Sequence, residues 1–140
     1  MPTTPTTSSP SPPPTPPPKR YLRILYADDL VDLRDVMRLA LSREGHGVEC
    51  VEDGRHALDR VLADPGFDLV ITDHHMPRMN GIELVSQLRA VPFRGKILVF
   101  SSELSPMIAD DYRKLGVDRI LYKPVAPSAL RELLLELFPR

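Results

Sequence analysis

Cysteine is nearly missing from this chain: Cys50 is the only one among 140 residues. That excludes an intrachain disulfide and any Cys-x-x-Cys metal or redox pair, and it fits a cytosolic protein better than a secreted one. The N-terminus lacks the apolar stretch of a secretory signal, and no segment reaches the roughly 18 apolar residues that would cross a bilayer. A cytoplasmic location without membrane contact is expected. An excess of charge of either sign is also lacking. Eighteen basic residues, fourteen of them Arg, stand against 19 acidic ones for a net charge of −1. This excludes the strongly basic signature of a nucleic-acid binder, so no direct DNA binding is expected. Charge is wholly absent from residues 1–18, where nine of the sixteen prolines fall among Ser and Thr.

Such a composition builds neither helix nor sheet, so residues 1–20 read as a disordered tail of polyproline II character. A spacer and a ligand for a proline-binding groove are the functional alternatives to an unspecific tail. Residues 21–140 have the length of one domain.

Within that domain, short apolar runs alternate with helical stripes. Strands are expected at Leu22–Ala27, Val48–Val51, Phe67–Thr72, Lys96–Phe100 and Arg119–Tyr122. Between and after them, apolar residues recur at helical spacing. The stripes are Leu33, Val36, Met37, Ala40 and Leu41; Ala57, Leu58, Val61 and Leu62; Ile82, Val85 and Leu88; Ile108, Tyr112 and Leu115; and Leu130, Leu133, Leu134 and Leu137. Gly45, Gly47 and Gly116 are placed to end helices. Near-continuous apolar strands joined by helical crossovers predict an α/β protein with a doubly wound, five-stranded parallel sheet covered on both faces.

In such a sheet, ligands bind beyond the carboxyl ends of the strands. The residues there are Asp28 and Asp29 after the first strand, Asp73 after the third, Ser101 and Ser102 after the fourth, and Lys123-Pro124 after the fifth. Each alone has an ordinary reading as a helix cap, a loop residue or a solvated lysine. Together they place three carboxylates, a hydroxyl and an ammonium on one edge. Like charges disfavour joint ionisation, and a hard divalent cation such as Mg²⁺, which prefers oxygen ligands and often binds carboxylates together with phosphate, resolves the conflict.

Over about residues 21–138 the chain resembles the receiver domain of bacterial two-component response regulators. The acidic pair is Asp28 and Asp29, the phosphoacceptor motif runs from Asp73 through Pro77 to Gly81, the hydroxyl is Ser101, and the lysine-proline is Lys123-Pro124. The resemblance implies a stand-alone (βα)5 flavodoxin-like receiver, similar to chemotaxis regulators, with strand order 2-1-3-4-5. It implies Asp73 as phosphoacceptor from a phosphohistidine of a sensor histidine kinase or phosphotransfer protein, with Lys123 and Ser101 contacting the phosphoryl group. It also implies Mg²⁺ held by Asp28, Asp29, Asp73 and the backbone carbonyl of His75. Such a protein is a phosphoacceptor switch and not a turnover enzyme. Its output partner is unknown, and a weak phosphorylation-dependent homodimer is left open. His75 and Glu103 stand at positions that tune phosphoryl lifetime, and the Lys123–Pro124 bond is typically cis in the family.

One departure concerns the switch. Besides Ser101, the family uses a Tyr or Phe three residues before the lysine, and that position is Ile120. Tyr122 shares its strand face by alternation, so it substitutes for the aromatic or signalling proceeds without one. The alternative to a phosphorylatable receiver is therefore a receiver-like protein-binding module that does not switch. A phosphoaspartate hydrolase is disfavoured, since the body lacks room for a cap and no second Asp lies two residues after Asp73. The adjacent His74 and His75 are weak evidence for zinc, and His46 and His56 read as solvated. The chain ends at its last helix, so no output domain is expected to follow. Signalling is then by protein contact or onward phosphotransfer, with Arg113, Lys114, Arg119, Arg131 and Glu132 as surface candidates.

Overall fold

In the computed structural model, which describes residues 21–139, five strands alternate with five helices. They are β1 (Arg23–Ala27), α1 (Val31–Arg43), β2 (Gly47–Val51), α2 (Gly54–Ala63), β3 (Leu69–Thr72), α3 (Gly81–Ala90), β4 (Lys96–Ser101), α4 (Pro106–Lys114), β5 (Arg119–Tyr122) and α5 (Pro127–Leu137). The tail expected at residues 1–20 and the terminal Arg140 lie outside the described residues. All strand pairs are parallel, in the order β2-β1-β3-β4-β5. This is the five-stranded parallel sheet that the alternation of strands and helices predicts, in the flavodoxin-like order that the resemblance implies.

The strands read as unbroken apolar runs because each of their faces meets a helical layer. Leu25 and Ala27 of β1, Val70 of β3 and Ile97 and Val99 of β4 pack with α2, α3 and α4. The intervening Ile24, Tyr26, Leu69, Ile71, Leu98 and Phe100 pack with α1 and α5. Helix starts are set by local chemistry. The Asp53 side chain caps α2, Asn80 and Glu83 form a capping box on α3, and Ser105 caps α4 ahead of Pro106. Gly45 and Gly116, with φ of +91° and +76°, follow the ends of α1 and α4 in the left-handed region that glycine enters without strain.

Several local expectations are corrected. The third strand begins at Leu69, because Phe67 turns into the α2–α3 core and Asp68 N–H bonds back to the Arg23 carbonyl. Gly47 opens β2 and does not close α1. Val36 and Leu62 fall on the sequence stripes yet are more than half exposed, since each stripe is wider than the contact its helix makes with the sheet. His46 is half-buried and not solvated. Its Nδ1 accepts the Leu22 N–H at 3.0 Å, and burial lowers its pKa.

Candidate functional site

Parallel register brings the strand ends level. Ala27 pairs with Val51 and with Thr72, Thr72 with Val99, and Ser101 with Tyr122. The residues that follow therefore emerge at one edge. Asp73 N–H bonds to the Ala27 carbonyl and Lys123 N–H to the Ser101 carbonyl, both at 2.9 Å.

Asp28 is fully buried. Its Oδ2 accepts the Tyr26 hydroxyl at 2.8 Å and Lys123 Nζ at 2.9 Å, while Oδ1 accepts the Leu30 N–H at 3.0 Å. Asp73 is 7% exposed. Its Oδ2 accepts Lys123 Nζ at 3.1 Å and its Oδ1 the His74 N–H at 2.7 Å. One ammonium thus bridges two buried carboxylates that would otherwise repel. Burial, with the negative charge of Asp28 beside it, pushes the Tyr26 hydroxyl far above its ordinary range, so it stays a proton donor.

Asp29 stands exposed at the rim. One oxygen from each of Asp28, Asp29 and Asp73 lies within 4.8 Å of the others, close enough to share a single cation. An all-oxygen, anionic donor set of this kind suits Mg²⁺. His75 is exposed and lines an open cleft of about 460 Å³ with Asp29, His74, Met76, Pro77 and Asn80. Ser101 is buried and its Oγ donates to the Glu103 carbonyl at 3.4 Å, while Ser102 and the side chain of Glu103 are exposed. The cap of α4 is Ser105, so neither Ser101 nor Ser102 is taken up by that task. The Lys123–Pro124 bond is cis.

The loop after Asp73 is anchored at its far end. Arg78, at a left-handed φ of +66°, donates through Nε to Asp53 Oδ2 and through its terminal nitrogen to Glu52 Oε1 at 3.2 Å. The Gly54 N–H bonds to the Met79 carbonyl at 3.0 Å. Burial would raise the Asp53 carboxyl, but hydrogen bonds from the His56 backbone and ring and from Arg78 outweigh it and hold the pKa at about 2. Glu52, Asp53 and His56 lie close enough to share a metal. Both Asp53 oxygens, Glu52 Oε1 and His56 Nδ1, however, are already engaged by this cap and by Arg78.

Ile120 is half-buried against the α2–α4 core, whereas Tyr122 is 47% exposed. A buried aromatic that does touch the acceptor turn is Tyr112 of α4, whose hydroxyl lies 2.6 Å from His74 Nδ1. Sequence reading places Tyr112 only as one position of an apolar stripe. Its polar tip in a buried stripe was the available signal.

The profile described as the response regulator receiver domain matches residues 24–135. The chain belongs to the receiver-domain family of response regulators. This receiver is 34% identical over 122 residues to the sensory/regulatory protein RpfC of Xanthomonas campestris pv. campestris, covering 84% of the chain and 17% of RpfC. It is 38% identical over 109 residues to the response regulator MprA of Mycolicibacterium vanbaalenii, covering 78% of the chain and 47% of MprA. The chain thus spans less than half the length of either relative. Among solved structures, it is similar to the chemotaxis response regulator CheY4 of Vibrio cholerae. The TM-score is 0.77 at 30% identity, over 84% of this chain and 98% of that one. Receivers work by phosphoaspartate signalling and are phosphoacceptor switches, not turnover enzymes. Among the described residues, no helix is long and apolar enough to cross a membrane.

Proposed function

We propose that this receiver accepts a phosphoryl group on Asp73 from a phosphohistidine of a sensor histidine kinase or phosphotransfer protein. The observation that carries the reading is the convergence of Asp28, Asp29 and Asp73 around a shared point, with Lys123 bonded to Asp28 and Asp73. An Asp73 carboxylate oxygen forms the new bond to phosphorus while the N–P bond of the donor breaks, and the imidazole nitrogen keeps the electron pair. No general base is needed, because carboxylates ionise well below neutral pH. Lys123, already on Asp73 Oδ2, clamps a phosphoryl oxygen, and the Ser101 hydroxyl turns from the Glu103 carbonyl to donate to another. Water attack at phosphorus later breaks the O–P bond and restores the carboxylate.

Asp28, Asp29, Asp73 and the His75 carbonyl would hold Mg²⁺. When bound, it neutralises charge on the transferring phosphoryl oxygens. His75, in the cleft beside Asp29, and Glu103, after Ser101, stand where they set access of water to the acyl phosphate. The output is a protein contact or onward transfer. The exposed Arg113, Lys114, Arg119, Arg131 and Glu132 on α4, β5 and α5 supply a charged face for it, or for a weak phosphorylation-dependent homodimer.

Intact-protein mass spectrometry after incubation with Mg²⁺ and a small acyl phosphate tests the reading. One added phosphoryl group, lost in Asp73→Asn and in chelator, is expected. A folded chain that takes up none would instead favour the receiver-like binding module that does not switch.

A further inference from the structure

Tyr112 is fully buried in α4. A phenol in a core needs a partner for its hydroxyl, and here the partner is His74 Nδ1 at 2.6 Å, with the two rings edge to face at 5.6 Å. His74 directly follows Asp73, and its backbone N–H donates to Asp73 Oδ1 at 2.7 Å. The His74 carbonyl is held in turn by the Gly81 N–H at 3.0 Å. Gly81 also leaves the space that the Tyr112 hydroxyl enters, since a Cβ there would lie 2.1 Å from that oxygen. Helix α4 therefore reaches the acceptor through two hydrogen bonds and a single intervening residue. Burial and the negative charge of Asp73 both push the Tyr112 hydroxyl up, so the phenol stays un-ionised while its energy depends on the charge at Asp73. Ile120, at the position where the resemblance implies an aromatic switch, has no polar side-chain atom to make such a link, and Tyr122 is turned outward.

We propose that Tyr112 is a positioning residue that couples α4 to Asp73 through His74. A change of charge on Asp73 alters the hydrogen bond from the His74 N–H. The turn and the imidazole then shift together, and the Tyr112 hydroxyl carries that shift into α4. The use of this link in signalling rests on Asp73 being the phosphoacceptor, but the coupling itself belongs to the unmodified chain.

The test is amide NMR of the full chain in four forms: wild type, D73N, Y112F and the double variant. In the wild-type background, D73N is expected to displace the amide signals of residues 106–115. In the Y112F background, that α4 response is expected to fall by at least half, while Asp28 and Lys123, which do not act through Tyr112, respond as before. Long-range proton–nitrogen spectra of the His74 ring supply a signature that a packing role alone would not move. A single tautomer in wild type is expected to become a mixture in Y112F. Equal α4 responses in the two backgrounds, or no α4 response in wild type, overturn the coupling. If Y112F fails to fold, H74F, which keeps an aromatic side chain and the backbone donor but lacks Nδ1, is put through the same comparison under the same criteria. Phosphoryl uptake by the wild-type chain is measured separately. A Tyr112-dependent response without uptake sinks the phosphoacceptor reading and leaves the coupling standing.

Discussion

Lys123 and Asp28 are 95 residues apart in the chain, yet Nζ lies 2.9 Å from Oδ2 in the fold, and the same ammonium reaches Asp73 at 3.1 Å. Both carboxylates are nearly or wholly inaccessible, so this is a buried ion triad whose stability depends on every member being present.

Lys123→Met should therefore destabilise the protein by about 3 kcal/mol at neutral pH, because it leaves two buried carboxylates facing each other. Urea unfolding measures this. Millimolar Mg²⁺ should recover part of the loss, since a cation among Asp28, Asp29 and Asp73 replaces the missing charge. An unchanged urea midpoint would show that the triad is already relaxed by solvent.

Gly81→Ala should cost about 2–3 kcal/mol, since its Cβ meets the Tyr112 hydroxyl at 2.1 Å and the Asp73 carbonyl at 2.6 Å. Combining it with Tyr112→Phe should recover part of that loss by removing the nearer obstacle. Thermal melts of the two single variants and the double variant give the coupling, and strict additivity would show that the hydroxyl is not what the methyl strikes.

The Asp53 carboxyl, ordinarily near 3.8, is held at about 2 in the folded chain. A depressed carboxyl contributes stability that is present above its unfolded pKa and is lost as pH falls through the folded one. Asp53→Asn keeps a capping oxygen but removes the charge that Arg78 and His56 share. Its deficit should be about 1–2 kcal/mol at pH 6 and should fade between about pH 4 and 2. Urea midpoints of both proteins across that range check the sign, and a gap that widens on acidification would contradict it.

His75→Ala and Glu103→Ala should each change the half-life of the acyl phosphate by about threefold or more, which corresponds to about 0.65 kcal/mol or more in barrier height. The decay of the phosphorylated mass after donor removal gives the rates. Half-lives equal to wild type in both variants would remove these side chains from any tuning role.

Much of this molecule was legible in the order of its residues. Five apolar runs alternating with five helical stripes dictate a parallel sheet with helices on both faces, because both periodicities arise from local backbone geometry. The acidic pair, Asp73, Ser101 and Lys123 could be assigned to one edge for the same reason: each ends or follows a strand, and parallel strands end on the same side. What local periodicity could not reveal is which partner each side chain meets. Only sheet order and register bring Lys123 to Asp28, bury Asp28 under the Tyr26 hydroxyl while leaving Asp29 at the rim, and tie Arg78 to the α2 cap. Helix packing alone exposes Val36 and Leu62 from otherwise regular stripes and delivers Tyr112 to His74. Those distances depend on how separate elements dock, and a polar atom's burial, charge and bonding partner follow from docking and not from its neighbours in sequence.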